Sequence, residues 1–107
     1  MQRNISIIIP IYNEELSINS LYEEIKNVVL NDFNEYEIIF VNDGSNDSSF
    51  DIINQLALND TNVVSIQLNR NYGKSDALNE GFKLAQYDYV ATLDGDLQND
   101  PHELVNL

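Results

Sequence analysis

The sequence predicts an α/β fold built on an open, mostly parallel sheet with helices on both faces. Three observations carry that prediction. Four short apolar runs rich in β-branched residues recur along the 107 residues, the stretches between them are amphipathic at helical spacing, and a polar cluster follows each run.

The strand candidates are Ile5 to Pro10, Tyr36 to Val41, Val63 to Leu68 and Tyr89 to Leu93. Their near-continuous apolar character is that of parallel strands covered on both faces. Between the first two, Ile18, Leu21, Tyr22, Ile25 and Val29 recur with helical period, and Glu23, Glu24 and Lys26 lie opposite. Phe50, Ile53, Leu56 and Ala57 repeat the pattern after the second strand, as do Ala77, Leu78, Gly81, Phe82 and Ala85 after the third. The order is β-α-β-α-β-α-β, which calls for right-handed crossovers. Asp100-Pro101-His102-Glu103 reads as an N-cap, a proline at the first helical position and a capping-box acid, so a fourth helix is expected to open there. Leu107 follows before any stop signal, so residues 1–107 read as a single unit cut from a larger domain. The connections Asn31 to Glu35 and Asn59 to Asn62 look merely hydrophilic.

Composition narrows the function classes. Five Lys+Arg against 18 Asp+Glu give a net charge of −13, which argues against a nucleic-acid partner, because phosphate-backbone binding depends on basic side chains displacing counterions. With 43% hydrophobic residues the chain can bury a core, so disorder is not expected. The absence of cysteine removes disulfides and thiolate metal sites and fits a reducing compartment. Met1-Gln2-Arg3 before an apolar run resembles a signal peptide, yet Pro10 and Asn13-Glu14-Glu15 interrupt it, and the run reads as a strand. No stretch approaches the ~20 apolar residues of a membrane span.

In an open α/β sheet, ligands bind beyond the carboxyl ends of the strands. Those positions hold Pro10-Ile11-Tyr12-Asn13-Glu14, Asn42-Asp43-Gly44-Ser45-Asn46-Asp47, Asn69-Arg70-Asn71-Tyr72-Gly73-Lys74 and Asp94-Gly95-Asp96-Leu97-Gln98. Taken singly, each has a structural explanation: a strand-to-helix turn capped by Asn46 or Asp47, a ring of Tyr12 packed on a strand end, solvated charges at Arg70 and Lys74. Together they put acids, cations and an aromatic on one edge. Asp94 and Asp96 flank a glycine, Gly95, which allows close ligand approach, and two clustered carboxylates call for a cation. Carboxylate and amide oxygens suit Mg²⁺ or Mn²⁺, with Gln98 a further oxygen donor. Arg70 and Lys74, two of only five basic residues, would face an anionic group beside that metal, so the implied ligand is a metal-bound diphosphate. Other motifs fail: Gly73-Lys74-Ser75 lacks the first glycine of a P-loop, Leu68 standing in its place, and no G-x-G-x-x-G follows the first strand.

The four clusters, in order, resemble those of the family 2 glycosyltransferases, whose nucleotide-diphospho-sugar transferase fold is of the GT-A type. The third and fourth are most similar to the branch that includes dolichyl-phosphate and polyprenyl-phosphate sugar transferases. The resemblance implies transfer of a sugar from a nucleotide-diphosphate donor to a lipid-phosphate or saccharide acceptor, by a protein of the cell envelope or of polysaccharide synthesis. It implies a place on the cytoplasmic side, with membrane association through parts outside this chain. It further implies that Pro10, Tyr12 and Glu14 line a base and ribose pocket, that Asp43 hydrogen-bonds the base, and that Asp94 reaches the ribose or the metal. Asp96 would be the firmest metal ligand, with Gln98 beside it. Asn42 stands where many relatives carry a second Asp, and the family's general base is expected beyond Leu107, so this chain alone should bind rather than turn over. Two alternatives stand beside this reading: a D-x-D phosphotransferase of the haloacid-dehalogenase kind, and a non-catalytic nucleotide-binding module.

Overall fold

The computed structural model describes residues 3–95. Asp96, Gln98 and the expected fourth helix at 100–103 lie outside the described residues. Seven elements alternate: β1 (Arg3–Ile11), α1 (Ile18–Asp32), β2 (Phe33–Asn42), α2 (Ser49–Asn59), β3 (Val63–Gln67), α3 (Lys74–Leu84) and β4 (Tyr89–Thr92). The sheet is four-stranded and parallel throughout, in the order β3-β2-β1-β4.

Strand periodicity of two sorts the side chains into two layers. Ile5, Ile7, Ile9 and Ile11 of β1, with Ile38 and Phe40 of β2, pack under α1 and α2 against Ile18, Leu21, Ile25, Val29 and Ile53. The alternate residues Ile8, Ile39 and Val41 face Ala77 of α3. Gly81 allows that helix to lie close, since a Cβ there would stand 2.4 Å from Ile8 Cγ2. Helices thus cover both faces, as expected from the alternation.

β1 and β2 are central and buried on both faces, whereas β3 is half-buried and three of the four residues of β4 are exposed. Full two-sided burial was therefore the wrong expectation for the outer pair: with no further strand beside them among the described residues, their β-branched side chains meet solvent. The stretch Asn31 to Glu35 is likewise no loop. Asn31 and Asp32 complete α1, and Phe33, only 4% exposed, opens β2 directly. Phe50 and Phe82, placed on the inward helical faces by their spacing, are 40% and 48% exposed. The small residues Ala77 and Gly81 seat α3 on the sheet, which turns Phe82, one position on, to its flank.

At the amino end of the sheet a buried carboxylate ties the layers together. Glu37 accepts hydrogen bonds from Ser6 Oγ (2.6 Å), Gln86 N (2.8 Å) and Gln86 Nε2 (3.2 Å), and Ser6 Oγ in turn accepts from Tyr87 N at 3.2 Å. This fixes the α3–β4 connection, and so where β4 and its trailing acid emerge. Below α1, Asp60 accepts from Tyr22 Oη and Asn62 N and pairs with Lys26 at 3.7 Å. Burial acts to raise the Asp60 carboxyl, but the Tyr22 and Asn62 hydrogen bonds and the Lys26 charge outweigh it and hold it below its ordinary value.

Candidate functional site

The order β3-β2-β1-β4 puts a reversal of chain direction beside β1. The connections leaving β1 and β2 run one way on one face, while the β3–α3–β4 connection returns across the other. A crevice opens at such a point, beyond the carboxyl ends. Here it is a groove of about 350 Å³, to which every strand contributes: Pro10 and Ile11 at the end of β1 with Tyr12 and Glu14 beyond it, Asp43 after β2, Asn71, Gly73 and Lys74 after β3, and Asp94 and Gly95 after β4. Of the ten residues named from sequence, all but Arg70, Asp96 and Gln98 line it, and the last two lie outside the described residues.

Asp43 organises the floor. It is buried, 3% exposed, and its carboxylate accepts from Tyr72 N (2.8 Å), Gly73 N (2.9 Å) and Asn71 Nδ2 (3.1 Å), drawing the β3–α3 loop onto the end of β2. Gly44 completes the joint. Its φ is +71°, and a Cβ would lie 2.3 Å from the Arg70 carbonyl carbon, so only glycine lets the two loops meet. Gly95 packs closely on the other side, where a Cβ would meet the side-chain methyl Ile11 Cδ1 at 2.5 Å.

Gly73, at φ +107°, ends the loop and caps α3, whose first residue is Lys74. The amino terminus of that helix and its lysine therefore face the groove, an arrangement that favours anions. Lys74 Nζ forms an ion pair with Asp94 Oδ1. Arg70 does not share this position. Its guanidinium stacks on the Tyr72 ring, 4.5 Å from the centroid, and it borders an adjoining depression that it shares with Tyr12 and Gly44. Sequence proximity to Lys74 placed both cations at one phosphate; the turn at Gly73 separates them.

Asn42 faces inward rather than into the groove. Only 1% exposed, it donates from Nδ2 to Gln67 Oε1 at 2.7 Å and accepts at Oδ1 from Ser45 N at 3.3 Å. Neither Asn46 nor Asp47 is the N-cap of α2: Ser48 holds that position without a side-chain cap hydrogen bond, and Asp47, one residue earlier, accepts from Ser49 N at Oδ1 (2.9 Å) and from Glu15 N at Oδ2 (3.2 Å). Burial acts to raise the Asp47 carboxyl, but the Ser49 and Glu15 donors outweigh it and hold it below its ordinary value. Sequence reading included Asn13 and Asn71 in the strand-end clusters without assigning either a role, and it missed Ser49. The positive φ of Asn13 (54°) is foreshadowed only by the tolerance of Asn for that conformation.

The donors present bear on a metal in a limited way. Asp94 offers hard carboxylate oxygen of the kind Mg²⁺ and Mn²⁺ prefer, and Glu14 lines the same groove. Among the described residues, no group of three or more acidic or imidazole side chains is arranged to hold an ion. Also among the described residues, no helix is long and apolar enough to cross a membrane.

Comparison with known proteins fits this geometry. Residues 6–107 match the family model of Glycosyl transferase family 2. The chain is 44% identical over 104 residues to an undecaprenyl-phosphate 4-deoxy-4-formamido-L-arabinose transferase of Proteus mirabilis, covering 96% of this chain and 32% of that protein. Among solved structures, S. aureus TarS 1-349 in complex with UDP superposes with a TM-score of 0.75 at 29% identity, over 90% of this chain and 28% of that one. A mannosyltransferase from Pyrobaculum calidifontis, in complex with GDP-Man and Mn²⁺, shares the fold with a TM-score of 0.84 at 22% identity, over 99% of this chain and 31% of that one. The chain thus spans about a third of the length of the curated relatives it matches, and its architecture is that of the GT-A glycosyltransferases. With a family model covering nearly all of it, the chain belongs to glycosyl transferase family 2.

Proposed function

We propose that residues 1–107 form the nucleotide-sugar-binding part of a glycosyltransferase that moves a sugar from a nucleoside-diphosphate donor to a polyprenyl-phosphate acceptor. The observation that carries this reading is the convergence of all four strand ends on one groove with an aromatic on one side and a helix amino terminus with Lys74 on the other. Tyr12 and Asp43 take the nucleoside, with Pro10 and Glu14 completing that wall. Lys74 and the first N–H groups of α3 take the diphosphate, while Arg70 borders the adjoining depression. The UDP named in the TarS complex and the lipid phosphate named in the Proteus relative support these two substrate classes.

Asp94, with Asp96 and Gln98 beyond it, are the residues that would hold Mg²⁺ or Mn²⁺, and the Mn²⁺ of the Pyrobaculum complex supports that choice. A divalent ion bound there supplies Lewis-acid neutralisation of the charge that grows on the departing nucleoside diphosphate. What the described residues contribute is orientation: Asp43 fixes the loop that presents Lys74, and Lys74 pairs with Asp94. The curated relatives are about three times as long as this chain, and the acceptor pocket, the general base and any membrane association are assigned here to parts of the fold outside residues 1–107.

Isothermal titration with UDP and GDP, each with Mn²⁺ and with EDTA, tests the reading. Saturable binding that weakens with EDTA and with Asp96→Ala is the expected result. Nucleotide affinity unchanged by both would refute the metal assignment, and no binding of either nucleotide would refute the site.

A further inference from the structure

We propose that Asn13 is a positioning residue of this groove, the side chain that locks the loop after β1 to the loop after β2 and thereby sets Tyr12 and Glu14 for a nucleoside diphosphate. The proposal rests on the nucleotide-site reading above. Among the described residues Asn13 alone, apart from glycines, has a positive φ (54°). Asn bears that conformation better than most residues, but it is adopted where the surroundings dictate it. Here the surroundings are two hydrogen bonds of opposite sense to the neighbouring loop. Asn13 N donates to Ser45 Oγ at 2.9 Å, and Asn13 Oδ1 accepts from Asn46 N at 2.7 Å.

The seam continues past Asn13. Glu14 N donates to Ser49 Oγ at 3.1 Å, Glu15 N to Asp47 Oδ2 at 3.2 Å, and Ser48 N returns a bond to Glu15 Oε2 at 3.0 Å. Asn13 stands at its mouth. The residues on either side of it, Tyr12 and Glu14, line the groove, and Asn13 does not. Its partners Ser45 and Asn46 lie two and three positions after Asp43. Asn13 therefore couples, at the mouth of this seam, the walls contributed by β1 and β2. Because Asn13 is exposed, removing its amide opens no cavity in the core, so its effect on ligand geometry can be separated from an effect on folding.

Asn13→Gly keeps the backbone conformation accessible and leaves the N–H to Ser45 intact, but deletes the Oδ1 acceptor. Asn13→Asp keeps that acceptor. Titrating the protein with UDP and GDP well below its thermal midpoint, Asn13→Gly is expected to bind about tenfold more weakly, with the midpoint moved by no more than a few degrees. Asn13→Asp is expected to recover affinity to within about threefold of the parent. Parent-like binding by Asn13→Gly, or an Asp variant as weak as the Gly variant, overturns the proposal. So does a fall in binding that merely follows a large fall in midpoint, which would make Asn13 a stability residue. A parent protein that binds neither nucleotide refutes the site itself, a result distinct from parent binding with an indifferent Asn13.

Discussion

Removing the Asp43 carboxylate is expected to loosen the β3–α3 loop and destabilise the fold by an amount the hydrogen bonds allow us to work out. The carboxylate takes two backbone N–H groups, Tyr72 at 2.8 Å and Gly73 at 2.9 Å, and the Asn71 amide at 3.1 Å. Hydrogen bonds to a charged group contribute about 1.5–3 kcal/mol each. Tyr72 and Asn71 are exposed, so water can replace part of what is lost, and the lower figure applies. Counting only the two backbone donors, Asp43→Ala should cost about 3 kcal/mol. Asp43→Asn keeps one oxygen, and its NH₂ fits best at Oδ1, where it opposes Tyr72 N–H alone, so about half that loss is expected. Urea unfolding reads both values as midpoint shifts at constant slope. The nucleotide titration then separates fold from site: Asp43→Asn should weaken UDP or GDP binding beyond what its population of folded protein explains. Equal stability of Asp43→Ala and the parent would refute the view that this carboxylate holds the loop.

Gly44→Ala should destabilise by about 2 kcal/mol or more, since it combines a positive φ with a Cβ 2.3 Å from backbone that cannot give way; urea midpoints check it. Gly81→Ala should also destabilise, by about 1–3 kcal/mol, despite the better helix propensity of alanine, because its Cβ meets Ile8 Cγ2 at 2.4 Å; the same measurement applies. Asp60 makes stability fall with acid. Its carboxyl sits below its ordinary value in the folded chain, so its contribution is complete above the unfolded pKa of about 4 and disappears as pH falls through the lower folded value. The stability difference between the parent and Asp60→Asn should accordingly be present at pH 7 and shrink below about pH 4. Lys74→Ala should weaken nucleoside-diphosphate binding more at low than at high salt, as titrations at two ionic strengths would show.

Much of this fold could be read from periodicity, and the exceptions have physical causes. The isoleucines of β1 and β2 announce central strands because they are buried on both faces. Tyr89 and Val90 announce a strand equally well, but not that it lies at an edge, since edge position depends on what packs alongside. Phe33 was hidden between Asp32 and Asn34, with no glycine or proline to mark where a helix passes straight into a strand. Glu37 gave no hint of burial either, because its partners Ser6 and Gln86 come from distant segments.

The site was legible for a different reason. Acids, cations and an aromatic recur at the strand ends, and parallel topology sends every such end to the same edge. Sequence could locate Asp43, Lys74 and Asp94 there but could not orient Arg70, whose direction is set by the loop geometry around Gly44 and Gly73 and by stacking on Tyr72. The roles of Asn13 and Asn71 escaped because both side chains bond backbone groups of other loops, Asn46 N and Asp43 O, an arrangement that leaves no spacing pattern behind.

In the binding mode proposed above, one nucleoside diphosphate touches all four strand ends at once. Amide chemical-shift mapping of ¹⁵N-labelled protein during titration with UDP or GDP and Mg²⁺ tests it most directly. Shifts concentrated at Ile11 to Glu14, Asp43 to Ser45, Asn71 to Lys74 and Asp94 to Gly95 are the predicted result, with Asn59 to Asn62 and Gln86 to Asp88 at the far end of the sheet unmoved. Shifts confined to that far end, or to one loop while the other three stay silent, would contradict it.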